Sequence, residues 1–177
     1  MRKLLVVVDC QKDFIDGALG FEGADKIIPG IIARIGEYKA SGDEVVYTLD
    51  THTEDYMNTQ EGRNLPVPHC IKGTPGWQLN ESVAAALDKK GYTPVEKVTF
   101  GAAQLPGLVM QACAGEPCDI ELIGLCTDIC VVSNALLLKT IFCETPISVD
   151  SACCAGVTPE KHQAALETMR SCHIEIR

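Results

Sequence analysis

The sequence predicts an α/β fold: a doubly wound (Rossmann-like), mostly parallel six-stranded sheet with helices on both faces. Short apolar runs rich in β-branched residues alternate with segments of helical period along the whole chain. The first run, Leu4–Val8, is apolar at every position, which is typical of a strand covered on both faces. No repeat, linker or low-complexity segment interrupts the 177 residues, so we expect a single domain over residues 1–177.

The first two predicted strands, 3–8 and 44–49, enclose a helix over 27–39. Isoleucines recur at helical spacing in that segment, and Pro29 is compatible with the first turn of a helix. Gly42 marks the helix end, because glycine readily adopts the left-handed conformation that follows a helix. The next segment, 51–76, shows no clear period. Long segments of this kind within compact domains are usually functional.

The second half of the chain continues the alternation of strand and helix. Helix 81–90 is stopped by Gly91, and Thr158 with Pro159 has the residue types preferred at a helix start. The other predicted elements are strands at 94–98, 118–123, 146–149 and 172–176 and helices at 105–114, 129–140 and 159–171.

Charge and hydropathy exclude several classes of partner. The net charge of −9 disfavours nucleic acid and anionic membrane surfaces. No apolar run approaches the roughly 20 residues that a membrane span needs. The apolar run Leu4–Val8 is too short for a secretory signal and leads directly into Asp9. We therefore expect a cytoplasmic protein.

Ten cysteines are present, and in a reducing cytosol we expect them to be unpaired. No C-x-x-C pair occurs, so neither a thioredoxin-like redox site nor a zinc ribbon is indicated. We expect Cys113, Cys143 and Cys172 to fill core or near-surface space, and we assign no role to the adjacent Cys153 and Cys154.

Cys130 stands apart from the other cysteines because of its position between a predicted strand and a predicted helix. Thr127 or Asp128 can cap that helix, and the free N–H groups of its first turn then face the Cys130 sulfur. The partial positive charge of a helix start favours a thiolate. The alternative is that Cys130 serves as a small apolar residue.

Asp9 and Lys97 lie at or near strand ends, the edge at which doubly wound sheets bind ligands. Asp9 could accept the Cys130 proton and return it to a leaving group. Lys97 could keep that carboxylate charged and favour the thiolate. The alternatives are that Asp9 caps the following loop and that Lys97 is solvated.

A second polar group follows the second strand. In an extended segment Asp50 and His52 point to the same side and can reach one metal ion. His69 is the natural third ligand and Glu61 a possible fourth. Imidazole and carboxylate ligands suit Zn²⁺, Fe²⁺ or Mn²⁺ better than Ca²⁺. The alternative is a pair of surface histidines in an acidic loop.

Other motifs carry no chemistry. His162 and His173 are interpreted as surface or structural residues. The glycines between 17 and 23 lack the spacing of a phosphate-binding loop, and no G-x-S-x-G nucleophile motif occurs.

The motifs together resemble the isochorismatase-like cysteine hydrolases, and within them the nicotinamidases. The resemblance covers most of the chain. It rests on residues 8–14 (VDCQKDF), 50–52 (DTH), 68–76 (PHCIKGTPG), 97–100 (KVTF) and 124–131 (GLCTDICV).

The resemblance implies a function for each candidate residue. It implies hydrolysis of nicotinamide to nicotinic acid and ammonia through a thioester on one cysteine. It also implies a homo-oligomer that binds a divalent metal ion, with zinc as the preferred ion and iron or manganese as alternatives. A cis peptide bond is implied at Leu125–Cys126. The residues concerned are Asp9, Lys97 and Cys130 for catalysis, the N–H groups of Cys126 and Cys130 for the oxyanion, Asp50, His52, His69 and Glu61 for the metal, and Phe14, Trp77 and Phe100 for contacts with the substrate ring.

Three alternatives remain open at this point. A metal-independent relative could act on isochorismate, or on another small amide, ureido or carbamoyl compound. A non-catalytic binding protein could use the same fold, although Asp9, Lys97 and Cys130 at strand ends argue against it. Redox chemistry or metal storage on ten cysteines is disfavoured by the absence of close pairs.

Overall fold

Six strands form one parallel sheet, as the sequence predicted. The structure is a computed structural model that describes residues 2–87, 94–116 and 118–177. The strands are β1 (Arg2–Val8), β2 (Glu44–Asp50), β3 (Pro94–Lys97), β4 (Cys118–Leu125), β5 (Ile147–Ala155) and β6 (Glu175–Ile176). Their order across the sheet is β3-β2-β1-β4-β5-β6.

Helices cover both faces of the sheet, which confirms the doubly wound arrangement. They are α1 (Lys12–Ile15), α2 (Ile28–Ser41), α3 (Gln60–Asn64), α4 (Glu81–Leu87), α5 (Leu105–Ala112), α6 (Val132–Ile141) and α7 (Pro159–Ser171). Alternate residues of β1 divide between two apolar clusters, as the two-residue period of a strand requires. Leu5 and Val7 pack with α2 and α4, whereas Leu4 and Val6 pack with α5, α6 and α7. No helix among the described residues is long and apolar enough to cross a membrane.

Several predicted boundaries differ from the structure. The fifth strand continues past Asp150 to Ala155, because after a register shift its end pairs with the end of β4. The predicted loop 11–22 contains the short helix α1, and the last strand is reduced to two residues. The predicted end of helix 81–90 at Gly91 lies outside the described residues.

The long segment 51–76 has more local structure than its sequence indicated. It contains a 3₁₀ turn, Tyr56–Asn58, and helix α3, which Thr59 caps by accepting a hydrogen bond from Gly62 N. Tyr56 is buried, and its hydroxyl donates to Leu65 O at 2.8 Å. The segment therefore holds a fixed course beside the sheet.

The prediction that all cysteines are unpaired was wrong for one pair. Cys113 and Cys118 form a disulfide, with their Cα atoms 6.2 Å apart. Cys113 follows α5 and Cys118 begins β4, so the short connection between the two elements brings the sulfur atoms together. A separation of five residues matches no disulfide motif, so the pair could not be identified from the spacing of the cysteines.

A buried carboxylate on β4 forms ion pairs with Arg34 of α2 and with Arg177. Glu121 is 1% exposed, and its two oxygens accept hydrogen bonds from Arg34 Nε at 2.5 Å and Nη2 at 2.6 Å. Arg177 Nη1 adds a third contact to Glu121 at 3.1 Å. A buried carboxylate with this many partners is costly to remove, because its cationic partners lose their compensation.

Replacement of Glu121 by alanine should lower the free energy of unfolding by about 2–4 kcal/mol. Urea denaturation measures the change. Glu37→Ala is the matched control, since Glu37 pairs with the same Arg34 at the exposed end and should contribute less than about 1 kcal/mol. Equal effects of the two variants would contradict a special role for the buried pair.

Candidate active site

Three strands end at the same place on the carboxyl edge of the sheet. Asp9 follows β1, Asp50 ends β2 and Lys97 ends β3. Asp50 and Lys97 are register partners, and Thr51 N donates to Lys97 O at 2.8 Å. The shared edge explains how residues far apart in sequence meet.

Asp9, Lys97 and Cys130 form a buried cluster. Lys97 Nζ lies 2.7 Å from Asp9 Oδ2 and 3.4 Å from Cys130 Sγ, and it also donates to Thr99 O at 3.1 Å. The exposed fractions are 0% for Asp9, 2% for Lys97 and 5% for Cys130. The lysine therefore contacts both the carboxylate and the sulfur in a site that is shielded from bulk water.

Thr48, a residue that sequence reasoning missed, fixes the orientation of Asp9. Its hydroxyl donates to Asp9 Oδ1 at 2.6 Å and accepts from Asp9 N at 3.2 Å. Asp9 has φ of 45°, a left-handed conformation that non-glycine residues rarely adopt outside special sites. The available signal was a buried polar residue inside the apolar run of β2.

The expectation that the site favours a thiolate at Cys130 is not met. Burial raises the pKa of the Cys130 thiol well above its ordinary value, the charge of Asp9 raises it further, and Lys97 only partly opposes the two. Burial also raises the pKa of Asp9, against the opposing charge of Lys97. Burial therefore favours the thiol form of the sulfur, which lies in the same cluster as the carboxylate of Asp9.

The backbone around Cys130 also differs from the predicted helix start. Residues Thr127–Val131 form a turn of π-helix, here called the Cys130 turn, and α6 begins only at Val132. Cys126 O accepts hydrogen bonds from Ile129 N and Val131 N, both at 3.0 Å. The cis peptide bond implied at Leu125–Cys126 is present.

Neither predicted capping residue caps a helix. The Cys130 turn and α6 have no side-chain cap. The Thr127 hydroxyl lies 2.8 Å from His162 Nδ1, and Asp128 Oδ1 accepts from Val157 N at 3.0 Å. Thr127 therefore connects the turn to α7, and Asp128 connects it to the segment before that helix.

Asn134 connects Cys130 to the segment after β3. Its side-chain amide donates to Cys130 O at 2.8 Å and to Phe100 O at 3.2 Å, and its carbonyl oxygen accepts from Ala102 N at 2.8 Å. Asn134 is fully buried. A polar residue within the apolar helix was the signal that could have identified it.

The predicted metal ligands form one compact group. Asp50, His52, Glu61 and His69 each offer one donor atom, and these atoms all lie within 4.8 Å of one another. His52 Nε2 lies 3.0 Å from Asp50 Oδ2 and 3.8 Å from Glu61 Oε1. His69 Nε2 lies 3.4 Å from Asp50 Oδ2 and 3.6 Å from Glu61 Oε1. Within the described part of the chain, the buried Cys70 contributes no donor to this group.

The two imidazoles are held in place by neighbouring groups. His69 Nδ1 is 2.8 Å from Val67 O, an arrangement that leaves Nε2 directed toward the carboxylates. The ring of Tyr56 packs edge-on against both, with centroid distances of 4.8 Å to His52 and 5.0 Å to His69. Sequence reasoning gave no role to Tyr56.

Helix α1 and the residue before it form hydrogen bonds with the two segments that carry Asp50 and His69. Gln11 Nε2 donates to Asp50 O and to Trp77 O, each at 2.8 Å, and Gln11 Oε1 accepts from Asp50 N at 2.8 Å. Asp13 Oδ2 accepts from Cys70 N at 2.7 Å, next to His69. These two side chains belong to the VDCQKDF motif, but no role was predicted for them.

Asp50 belongs to both clusters. Its Oδ2 contacts the two imidazoles, and its Oδ1 accepts from Lys97 Nζ at 3.2 Å. Burial alone would raise the pKa of Asp50, but hydrogen bonds from His52 and His69 and the charge of Lys97 hold it below its usual range. A charged carboxylate between two nitrogen donors fits a divalent cation with imidazole and carboxylate ligands.

The three aromatic residues proposed for ring contacts lie in different environments. Phe14 is buried, with its ring centroid 5.7 Å from that of His69. Trp77 donates from Nε1 to Thr51 Oγ1 at 2.9 Å. Phe100 is 45% exposed. Phe14 and Trp77 thus contact residues of the metal group or their neighbours, and Phe100 lies at the surface.

Comparison with known proteins assigns the chain to a family. The family model of the isochorismatase domain matches residues 3–176. The chain belongs to the isochorismatase family. The resemblance predicted from the sequence motifs is therefore confirmed.

Relatives within the family include nicotinamidases. Nicotinamidase/pyrazinamidase of Mycobacterium tuberculosis is 29% identical over 187 residues, covering 98% of this chain and 97% of that protein. The crystal structure of nicotinamidase/pyrazinamidase from Bacillus subtilis has a TM-score of 0.86 at 28% identity and covers 99% of both chains. Pyrazinamidase of Pyrococcus horikoshii, crystallised in complex with zinc, has a TM-score of 0.81 at 28% identity and covers 100% of this chain and 99% of its own.

Proposed function

We propose that this protein is a cysteine amidohydrolase that converts nicotinamide to nicotinic acid and ammonia. The observation that carries the proposal is the buried contact of Lys97 Nζ with both Asp9 and Cys130, beside a group of imidazoles and carboxylates. The family and the nicotinamidase relatives support the same reaction class. A single hydrolase domain over residues 1–177, a cytoplasmic location and a homo-oligomeric state remain part of the proposal.

The first half of the reaction is acylation of Cys130. Asp9 accepts the thiol proton while the sulfur attacks the amide carbonyl carbon. Lys97 stabilises the charge that remains on the buried carboxylate. The N–H groups of Cys126 and Cys130 hold the developing oxyanion. Asp9 then protonates the departing nitrogen, and ammonia leaves a thioester on the sulfur.

The second half is hydrolysis of that thioester. Asp9 takes a proton from the attacking water, and collapse of the tetrahedral intermediate releases nicotinic acid. The proton returns to the sulfur as the thiol, the form that burial favours. Asp9 therefore acts first as a base and then as an acid in each half of the reaction.

The metal proposed for Asp50, His52, Glu61 and His69 is zinc, with iron or manganese as alternatives. The donor set fits such an ion, because two imidazole nitrogens face two carboxylate oxygens in a largely buried group. When bound, the ion would act as a Lewis acid toward the pyridine nitrogen or a water beside it, which orients the ring.

The deciding experiment is ammonia release from nicotinamide by the purified protein, with metal content determined on the same sample. We expect release that is lost on chelation and restored by the metal. No release from a fully metal-loaded sample would contradict nicotinamide as substrate. Release from another small amide, ureido or carbamoyl compound in that sample would then assign the substrate.

A further inference from the structure

His162 is linked to the Cys130 turn, although the sequence assigned it no chemistry. Its Nδ1 lies 2.8 Å from the hydroxyl of Thr127, the first residue of that turn. Thr127 is fully buried and follows Cys126, whose carbonyl oxygen accepts from Ile129 N and Val131 N on either side of Cys130. A displacement of Thr127 would therefore move the backbone that carries the sulfur.

The first turn of α7 fixes the position of His162. Thr158 caps this helix by accepting from Lys161 N at 3.3 Å, and Thr158 O accepts from His162 N at 2.9 Å. The imidazole therefore projects from a rigid element, and its contact with Thr127 transmits that rigidity to the turn.

Gly156 allows this approach. A Cβ atom placed on Gly156 would lie 2.8 Å from His162 Cβ and 2.9 Å from Asp128 Oδ1. Asp128 in turn accepts from Val157 N at 3.0 Å, so the residues before α7 lie between the Cys130 turn and the helix. Thr127 thus contacts α7 through His162, and Asp128 contacts the segment before α7 through Val157.

We propose that His162 is a positioning residue for the nucleophile: its contact with Thr127 holds the Cys130 turn in the geometry needed for attack. The proposal rests on the proposed role of Cys130 and adds a residue from outside the Asp9–Lys97–Cys130 cluster. No hydrogen bond joins His162 to the sulfur among the described residues, so its effect on the reactivity of Cys130 must act through Thr127.

The charge environment is consistent with a neutral imidazole in this role. Burial lowers the pKa of His162, and the carboxylate of Asp128 opposes this only in part. At neutral pH the ring therefore keeps one nitrogen as donor and the other as acceptor, and either arrangement satisfies the Thr127 hydroxyl.

The first experiment compares His162→Ala with His162→Asn, whose side-chain amide can replace the Nδ1 contact. We expect the alanine variant to lower kcat about tenfold with little change in KM, because one partly buried hydrogen bond is lost and the nucleophile is displaced. The asparagine variant should recover most of the loss. Alkylation of Cys130 by iodoacetamide, followed by peptide mass spectrometry, should slow in parallel in the alanine variant.

The second experiment is a double-mutant cycle with Thr127→Val, which keeps the shape of Thr127 but removes its hydroxyl. If His162 acts through this hydroxyl, the double variant should be no slower in Cys130 alkylation than either single variant. Additive losses, or equal losses in His162→Ala and His162→Asn, would overturn the proposal. So would wild-type alkylation and kcat in His162→Ala.

Two controls separate this proposal from other effects. His173→Asn changes an exposed histidine beyond α7 and should leave both measurements unchanged. Urea denaturation of each variant shows whether a loss follows general destabilisation. If the wild-type protein releases no ammonia from nicotinamide, the proposed substrate fails, but the alkylation cycle still reports on His162.

Discussion

Replacement of Cys130 by alanine should reduce amide hydrolysis by at least about 1000-fold while leaving the fold intact. The variant loses the sulfur proposed to attack the carbonyl, and no other cysteine contacts Lys97 through a hydrogen bond among the described residues. The side chain is small and packs in an apolar cluster, so alanine fits the site with a limited loss of packing. Ammonia release and urea denaturation, measured on the same preparation, test the two parts of this expectation.

Cys154→Ala is the matched control for this variant. Cys154 and Cys130 are both 5% exposed and belong to the same apolar cluster, so the two substitutions remove similar buried volume. The control should keep activity within about twofold of wild type, because surrounding residues absorb so small a change. Hydrolysis that persists in Cys130→Ala, or that falls equally in the control, would exclude Cys130 as the nucleophile.

Replacement of Asp50 by alanine should remove the bound metal and lower turnover by at least about 100-fold. The expectation follows from the double role of this carboxylate. One oxygen lies 3.0 Å and 3.4 Å from the two imidazoles, and the other lies 3.2 Å from Lys97 Nζ. The substitution therefore removes a proposed metal ligand and also a partner of Lys97.

Two further variants define what the Asp50 result means. His69→Ala removes a proposed metal ligand but leaves the Lys97 contacts in place, so it should lose metal and retain more turnover than Asp50→Ala when excess metal is supplied. Asp55→Ala changes an exposed carboxylate in the same segment and should match wild type in both metal content and rate. Metal analysis that finds wild-type stoichiometry in Asp50→Ala would exclude the proposed site.

The sheet could be predicted because strands covered on both faces have a simple signature. Leu4–Val8 is apolar throughout, and the structure buries every one of these residues. Strand ends are less well defined by hydrophobicity, which explains the misplaced end of β5. There, pairing with Leu125 after a register shift extends the strand through residues of mixed polarity.

The juxtaposition of Asp9, Asp50 and Lys97 was also predictable, since parallel strands bring their carboxyl ends to one edge. The residues that hold this group together were not. Thr48 and Asn134 act through hydrogen bonds to groups 39 and 32 residues away in sequence, and such contacts depend on the completed fold. The raised pKa of Cys130 was missed for a similar reason, because burial, the largest influence on this pKa, is a tertiary property.

The free thiols differ in exposure, so their reaction with a thiol reagent can be used to measure local unfolding of the regions that contain them. Cys143 and Cys172 are exposed, so a thiol reagent reaches them in the native state. The remaining free thiols are covered, and burial also raises their pKa values, which suppresses the reactive thiolate form. Pulsed labelling would therefore time the opening of each region separately. These covered positions are Cys10, Cys70, Cys126, Cys130, Cys153 and Cys154.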